Sequence, residues 1–130
     1  MNKSNKRPLV LIIDDDDVNQ TVLKFLLTKE NIHCMMSENG QSGIELAKQY
    51  QPDIILLDIF MPDENGFEVL KWIKQNEQIN HIPVFIFSIL ENELDIQNAY
   101  DIGADGYITK PFDMKDVVKK VREVISTGNS

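Results

Sequence analysis

The stretch Asp53-Ile54-Ile55-Leu56-Leu57-Asp58 follows Pro52 and holds an apolar run between two aspartates. The run is too short for a buried helix and is bounded by polar residues, so it reads as a strand buried on both faces. Two other stretches share this form. Leu9-Val10-Leu11-Ile12-Ile13 ends in the tetrad Asp14-Asp15-Asp16-Asp17, and Gly106-Tyr107-Ile108-Thr109 ends in Lys110-Pro111. Parallel strands lying side by side deliver their C-terminal ends to one edge of a sheet, where open α/β folds bind ligands. Carboxylates and an ammonium that are distant in sequence are therefore expected to meet in one crevice. Crowded carboxylates raise one another's pKa values, so the cluster asks for a cation.

The 130 residues are enough for one domain with a sizeable core. A composition of 42% hydrophobic and 26% charged residues is that of an ordinary globule. The net charge of −8 argues against nucleic acid or an anionic membrane as the direct partner. The single cysteine, Cys34, excludes an internal disulfide, suits a reducing compartment and reads as a small apolar strand residue. Met1 to Arg7 is basic, but the apolar run after Pro8 is too short for a signal-peptide core or a membrane span. These features point to a cytoplasmic protein.

Strand and helix alternate five times along the chain. Leu9–Ile13 is strand one, and helix one follows with Val18, Val22, Phe25, Leu26 and Lys29 at helical spacing and Asp16 or Asp17 as its N-cap. His33–Ser37 is the most polar strand, as befits an edge. Helix two covers about Gly40 to Tyr50, and strand three leads into Asp58. The loop Ile59-Phe60-Met61-Pro62-Asp63-Glu64-Asn65 precedes helix three, where Phe67, Leu70 and Ile73 share a stripe. Strand four, Val84-Phe85-Ile86-Phe87, ends at Ser88. Ser88-Ile89-Leu90-Glu91 has the form of a capping box for a helix four at about Glu91–Asp101. Helix five carries Met114, Val117, Val118, Val121, Val124 and Ile125 on one face. Residues 1–8 are expected as a flexible basic tail, 9–125 as the domain and 126–130 as a frayed end. Five βα units with right-handed crossovers make a doubly wound parallel sheet.

Two or three carboxylate ligands suit magnesium, a hard cation that favours octahedral oxygen coordination. Lys110 can act as a point charge on phosphate, and Ser88 adds a hydroxyl donor. A carboxylate between a divalent cation and a lysine can attack phosphorus to give an aspartyl-phosphate. Such transfer needs mainly in-line positioning and charge neutralisation.

With Asp14-Asp15, Asp58, Met61-Pro62…Gly66, Ser88, Tyr107 and Lys110-Pro111-Phe112 in order, the chain resembles the receiver domain of two-component response regulators over essentially its whole length. The resemblance implies a flavodoxin-like sheet of order 2-1-3-4-5 flanked by five helices. It implies that Asp58 accepts a phosphoryl group from a histidine kinase or a histidine phosphotransfer protein. Asp15, Asp58 and the backbone carbonyl of Phe60 would ligate Mg2+, with Mn2+ a possible substitute and Asp14 acting mostly through water. Lys110 would pair with a phosphoryl oxygen and precede a cis Lys110-Pro111 bond. Ser88 would swing toward the phosphate while Tyr107 turns inward, remodelling the face of helix four, strand five and helix five for a downstream protein target or an output domain. The chain would catalyse only its own phosphorylation and dephosphorylation.

Simpler roles accompany these. Asp16 and Asp17 read as caps, Ser88 alone fits the start of helix four equally well, and Tyr107 alone would be a half-buried strand aromatic. His33 and His81 read as surface residues and Trp72 as partly exposed. Ile89 is bulky where receivers usually carry a small residue, and Phe60 and Leu90 are apolar where many relatives are polar. These three side chains are expected to wall the phosphate from water, making intrinsic dephosphorylation slow and labelling by small phosphodonors weak. A haloacid-dehalogenase-like hydrolase would need an acid where Phe60 stands. A flavodoxin-like cofactor module would need a hydroxyl- and glycine-rich first loop, whereas the aspartate tetrad would repel a nucleotide phosphate. A receiver-like scaffold working without phosphorylation is the remaining alternative. The chain ends soon after helix five, which fits either a single-domain regulator or a piece of a longer protein.

Overall fold

The computed structural model of the protein describes residues 8–61 and 63–128. The basic segment 1–7 and Pro62, both singled out above, lie outside the described residues. In chain order the elements are β1 (Leu9–Ile13), α1 (Asp17–Lys29), β2 (His33–Ser37), α2 (Gly40–Tyr50) and β3 (Ile54–Leu57), then α3 (Gly66–Gln75), β4 (Val84–Ser88), α4 (Glu93–Ile102), β5 (Gly106–Thr109) and α5 (Met114–Gly128). The strands form one parallel sheet in the order β2-β1-β3-β4-β5. This is the flavodoxin-like α/β architecture read from the sequence. Between β3 and α3, Phe60–Met61 pairs with Glu64–Asn65 as a small antiparallel ribbon.

Alternation along the strands splits the core into two layers. Leu11, Ile13, Ile55 and Leu57 pack toward α2, α3 and α4, with Val69, Leu70, Ile73 and Ala99 above them. Val10, Ile12, Ile54 and Leu56 pack toward α1 and α5, against Leu23, Leu27, Val117 and Val121. Burial of each aliphatic side chain contributes roughly 1.5–3 kcal/mol relative to exposure, which makes the central strands the stable platform of the fold. β2 is the most exposed strand, in keeping with its edge position.

Helix α1 packs differently from the stripe expected of it. Leu23 and Leu27 face the sheet together with Gln20, whereas Val18, Val22 and Phe25 are exposed. Two apolar stripes run along this helix, and a glutamine in the buried one disguised it as the solvent face. Gln20 is tolerated there because its amide nitrogen donates to two carbonyls, as described below. Asp16 is the N-cap, accepting from the Val18 and Asn19 N–H groups at 2.9 and 3.3 Å.

Helix α4 also starts later than expected. Asn92 caps it, accepting from the Asp95 N–H at 2.9 Å, so Ser88-Ile89-Leu90-Glu91 is a loop and Ser88 has no capping role there. In α3, Val69, Leu70 and Ile73 are buried and Phe67 only partly so. The folded part extends past both expected limits. The Pro8 carbonyl accepts the His33 N–H at 2.7 Å, and α5 continues through 126 and 127, which contain no breaker, to Gly128.

At the sheet edge opposite the acids, Lys74 of α3 gathers the starts of two strands. Its Nζ donates to the Ile82 carbonyl at 3.1 Å and to Asp105 Oδ2 at 3.0 Å. Asp105 Oδ2 also accepts the Val84 N–H at 2.8 Å. Gly66 opens α3 where backbone segments nearly touch: a Cβ there would sit 2.1 Å from the Ile59 Cα. Only glycine admits that approach.

Candidate functional site

The strand ends assemble the crevice through their own ladder. At the end of β1 the Asp14 N–H donates to the Ser37 carbonyl at 3.0 Å, and at the end of β3 the Asp58 N–H donates to the Ile13 carbonyl at 3.0 Å. With Ile13 level with Leu57 in the sheet, the two following aspartates stand side by side. After β5 the Lys110 N–H donates to the Ser88 carbonyl at 2.8 Å, turning the lysine back over the sheet. Its Nζ lies 3.2 Å from Asp58 Oδ2 and 3.6 Å from Asp14 Oδ2. On its other side it sits 4.8 Å from the centroid of the Phe87 ring, a cation–π contact that keeps the ammonium over the acids. The Lys110-Pro111 peptide is cis.

Asp14 and Asp58 are buried and Asp15 is exposed. Asp14 Oδ1 accepts the Asp16 N–H at 3.0 Å, and Asp58 Oδ1 accepts the Phe60 N–H at 2.9 Å. Burial pushes the Asp58 carboxyl up from 3.8 to about 6; the Phe60 N–H and Lys110 oppose the rise, and Asp14 adds to it. Asp14, Asp15 and Asp58 each offer an oxygen within 4.8 Å of the others. Against three carboxylates stands one ammonium, so an all-oxygen, net-negative pocket remains, and its donor set fits a hard divalent cation.

The expected switch residues lie beside this pocket. Ser88 is fully buried at the end of β4, its Oγ accepting the Leu90 N–H at 3.1 Å. Tyr107 is partly buried, and its hydroxyl donates to the Leu90 carbonyl at 2.6 Å. Burial raises the phenol's pKa, opposed by an interaction with the Ser88 hydroxyl. Tyr107 is thus already latched to the loop after β4. Of the three residues expected to wall the site, Phe60 and Ile89 are about half exposed, at 52% and 55%. Leu90 is partly buried and packs its side chain on the α2–α3–α4 core layer. Cys34 is pushed up to about 11 by burial, which removes it as a thiolate.

Two supporting residues escaped the sequence reading. Gln20 lies buried beneath the acids, and Glu64 Oε1 accepts the Gly40 N–H at 2.8 Å, tying the loop after Asp58 to the start of α2. A polar residue among buried positions of a helix was the available signal for Gln20. Glu64 had none, since its partner is a backbone group distant in sequence.

Residues 10–122 match the response regulator receiver domain. The chain belongs to that family. Among its relatives, the receiver is 35% identical over 118 residues to the DNA-binding dual master transcriptional regulator RpaA of Synechocystis, covering 91% of this chain and 49% of that protein. It is 28% identical over 116 residues to the polar-differentiation response regulator DivK of Brucella anthropi, covering 89% and 94%. The receiver therefore spans about half the length of some curated relatives and nearly all of others. A two-component response regulator from Clostridium difficile superposes with a TM-score of 0.88 at 27% identity, over 95% of this chain and 100% of that one. No helix among the described residues is long and apolar enough to cross a membrane.

Proposed function

We propose that the receiver takes a phosphoryl group from a phosphohistidine onto Asp58 in a Mg2+-dependent reaction, and that the modification alters the α4–β5–α5 face. The observation that carries this reading is the Lys110 ammonium 3.2 Å from Asp58 and 3.6 Å from Asp14, with Asp15 gathered against the same pair of carboxylates. An Asp58 oxygen attacks phosphorus, the P–O bond forms, and the P–N bond to the donor imidazole breaks with its electron pair leaving on nitrogen. With a pKa of about 6, Asp58 is largely ionised near neutral pH while more basic than an ordinary aspartate. Lys110 is placed to neutralise one phosphoryl oxygen and the Ser88 hydroxyl to donate to another. Asp15, Asp58 and the Phe60 carbonyl would hold the divalent ion, with Asp14 acting mostly through water, and the ion would supply charge neutralisation during transfer. Mn2+ would substitute. The donor is a histidine kinase or phosphotransfer protein, and the chain turns over nothing but its own phosphate.

Signalling would run through Ser88 and Tyr107. A phosphoryl group that recruits the Ser88 hydroxyl takes it from the Leu90 N–H and from Tyr107, which loosens or resets the loop before α4. Intact-mass measurement after exposure to a phosphodonor, with and without Mg2+, tests the reading. The expected result is one phosphoryl adduct, dependent on metal and absent in Asp58→Asn. An unmodified wild type under metal-replete conditions with several donors, including a phosphohistidine protein, overturns it in favour of a scaffold that does not use phosphate.

A further inference from the structure

Asp15 differs from its two companions in having nothing to aim it. Asp58 is held by the Phe60 N–H and Lys110, and Asp14 by the Asp16 N–H and Lys110. Asp15 is exposed, and its side chain makes no hydrogen bond or ion pair among the described residues. Its carboxylate nevertheless lies within 4.8 Å of the others. Its direction is inherited from the backbone, above all from the Asp14–Asp15 peptide that follows the last rung of β1.

That peptide is where the sheet stops supplying partners. The Asp14 N–H still reaches the Ser37 carbonyl, but the Asp14 carbonyl has left the ladder. Gln20 replaces the missing rung. From the buried face of α1 its Nε2 donates to the Asp14 carbonyl at 2.5 Å and to the Ser37 carbonyl at 3.0 Å. Gln20 is only 8% exposed, and both amide hydrogens serve the exits of neighbouring strands. A leucine or methionine would suit this position better for burial alone, because unpaired polar groups there are costly.

We infer that Gln20 is a positioning residue for the cation: by fixing the Asp14–Asp15 peptide it aims the otherwise unsupported Asp15 carboxylate at the site. The inference rests on the reading that Asp15 is a metal ligand. Groups that orient metal ligands typically change affinity by roughly 10- to 100-fold when lost, even though they never touch the ion. Gln20→Met keeps length and volume while removing both donors. Its dissociation constant for Mn2+, followed by the electron paramagnetic resonance signal of the free ion, is expected to rise roughly 10-fold or more. At saturating metal the rate of Asp58 phosphorylation should return close to that of wild type, because the other site groups are intact. A role confined to packing would lower the melting temperature yet leave metal affinity unchanged.

Asp15→Asn and Asp58→Asn serve as reference variants. If wild type and both references bind Mn2+ alike, the metal site itself is wrong. If the references lose Mn2+ while folded Gln20→Met binds as wild type does, the positioning role is overturned and the metal site stands. Should Gln20→Met not fold, Gln20→Glu carries the same comparison. It preserves the shape and, when ionised, turns an acceptor toward both carbonyls, so unchanged affinity there is equally fatal.

Discussion

Replacing Asp58 with Asn should make the metal-free protein more stable near neutral pH, although it removes the residue on which the proposed chemistry depends. Burial raises the Asp58 pKa from 3.8 to about 6. The folded chain thus holds this proton more tightly than the unfolded chain does. The resulting stability is fully present below about pH 3.8 and is lost as pH rises through about 6. At 1.36 kcal/mol per pKa unit the rise sets a ceiling of about 3 kcal/mol, and screening at the open mouth of the crevice reduces this to about 1–2 kcal/mol. Asparagine keeps an oxygen for the Phe60 N–H and leaves Asp14 as the partner of Lys110. For a domain of this size the variant should melt roughly 3–8 °C above wild type at neutral pH. Thermal melts by circular dichroism, in a chelator and across a pH series, provide the assay. The gap should be near zero at about pH 4, widen up to about pH 6 and stay level beyond it. Saturating Mg2+ should narrow it by stabilising only the wild type. Equal melting temperatures at neutral pH, or a gap that shrinks as pH rises, would refute the reasoning.

Four further outcomes follow from the same geometry. Lys110→Met leaves Asp14 and Asp58 uncompensated and should cost roughly 2 kcal/mol at neutral pH, and less at about pH 5 where Asp58 is protonated, as measured by urea midpoints. Gly66→Ala forces a methyl group against the Ile59 backbone, and should destabilise by roughly 2–3 kcal/mol in the same assay. Ile89→Ala should open the mouth of the crevice and raise both labelling by small phosphodonors and loss of label, read by intact mass over time. Replacing Leu90 with a polar residue should instead act on stability, because its side chain lies in the core layer.

The sheet was legible because each central strand is a short apolar run closed by a charged or polar residue, a pattern that only two-sided burial explains. Strand closure then located Asp14, Asp58, Ser88 and Lys110 without any knowledge of packing. Helix faces were harder to read. In α1 two apolar stripes compete, and the choice between Val18–Val22–Phe25 and Leu23–Leu27 turned on whether Gln20 could be buried. That depended on two carbonyls which become available only when the strand exits are in place. The start of α4 was misread for a related reason: both Ser88 and Asn92 can cap a helix, and Ser88 is held in the sheet by its rung to β5. Residues whose partners are backbone groups distant in sequence, such as Glu64, leave no trace in spacing.

The Lys74 clamp lies at the far end of β4 from Ser88, about 15 Å away along five residues of strand. Backbone pairing with β3 and β5 sets the register of that strand, and one ammonium under the floor of the domain ties its foot to the foot of β5. A loss at Lys74 should therefore loosen the base of the sheet while leaving Ser88 at its rung.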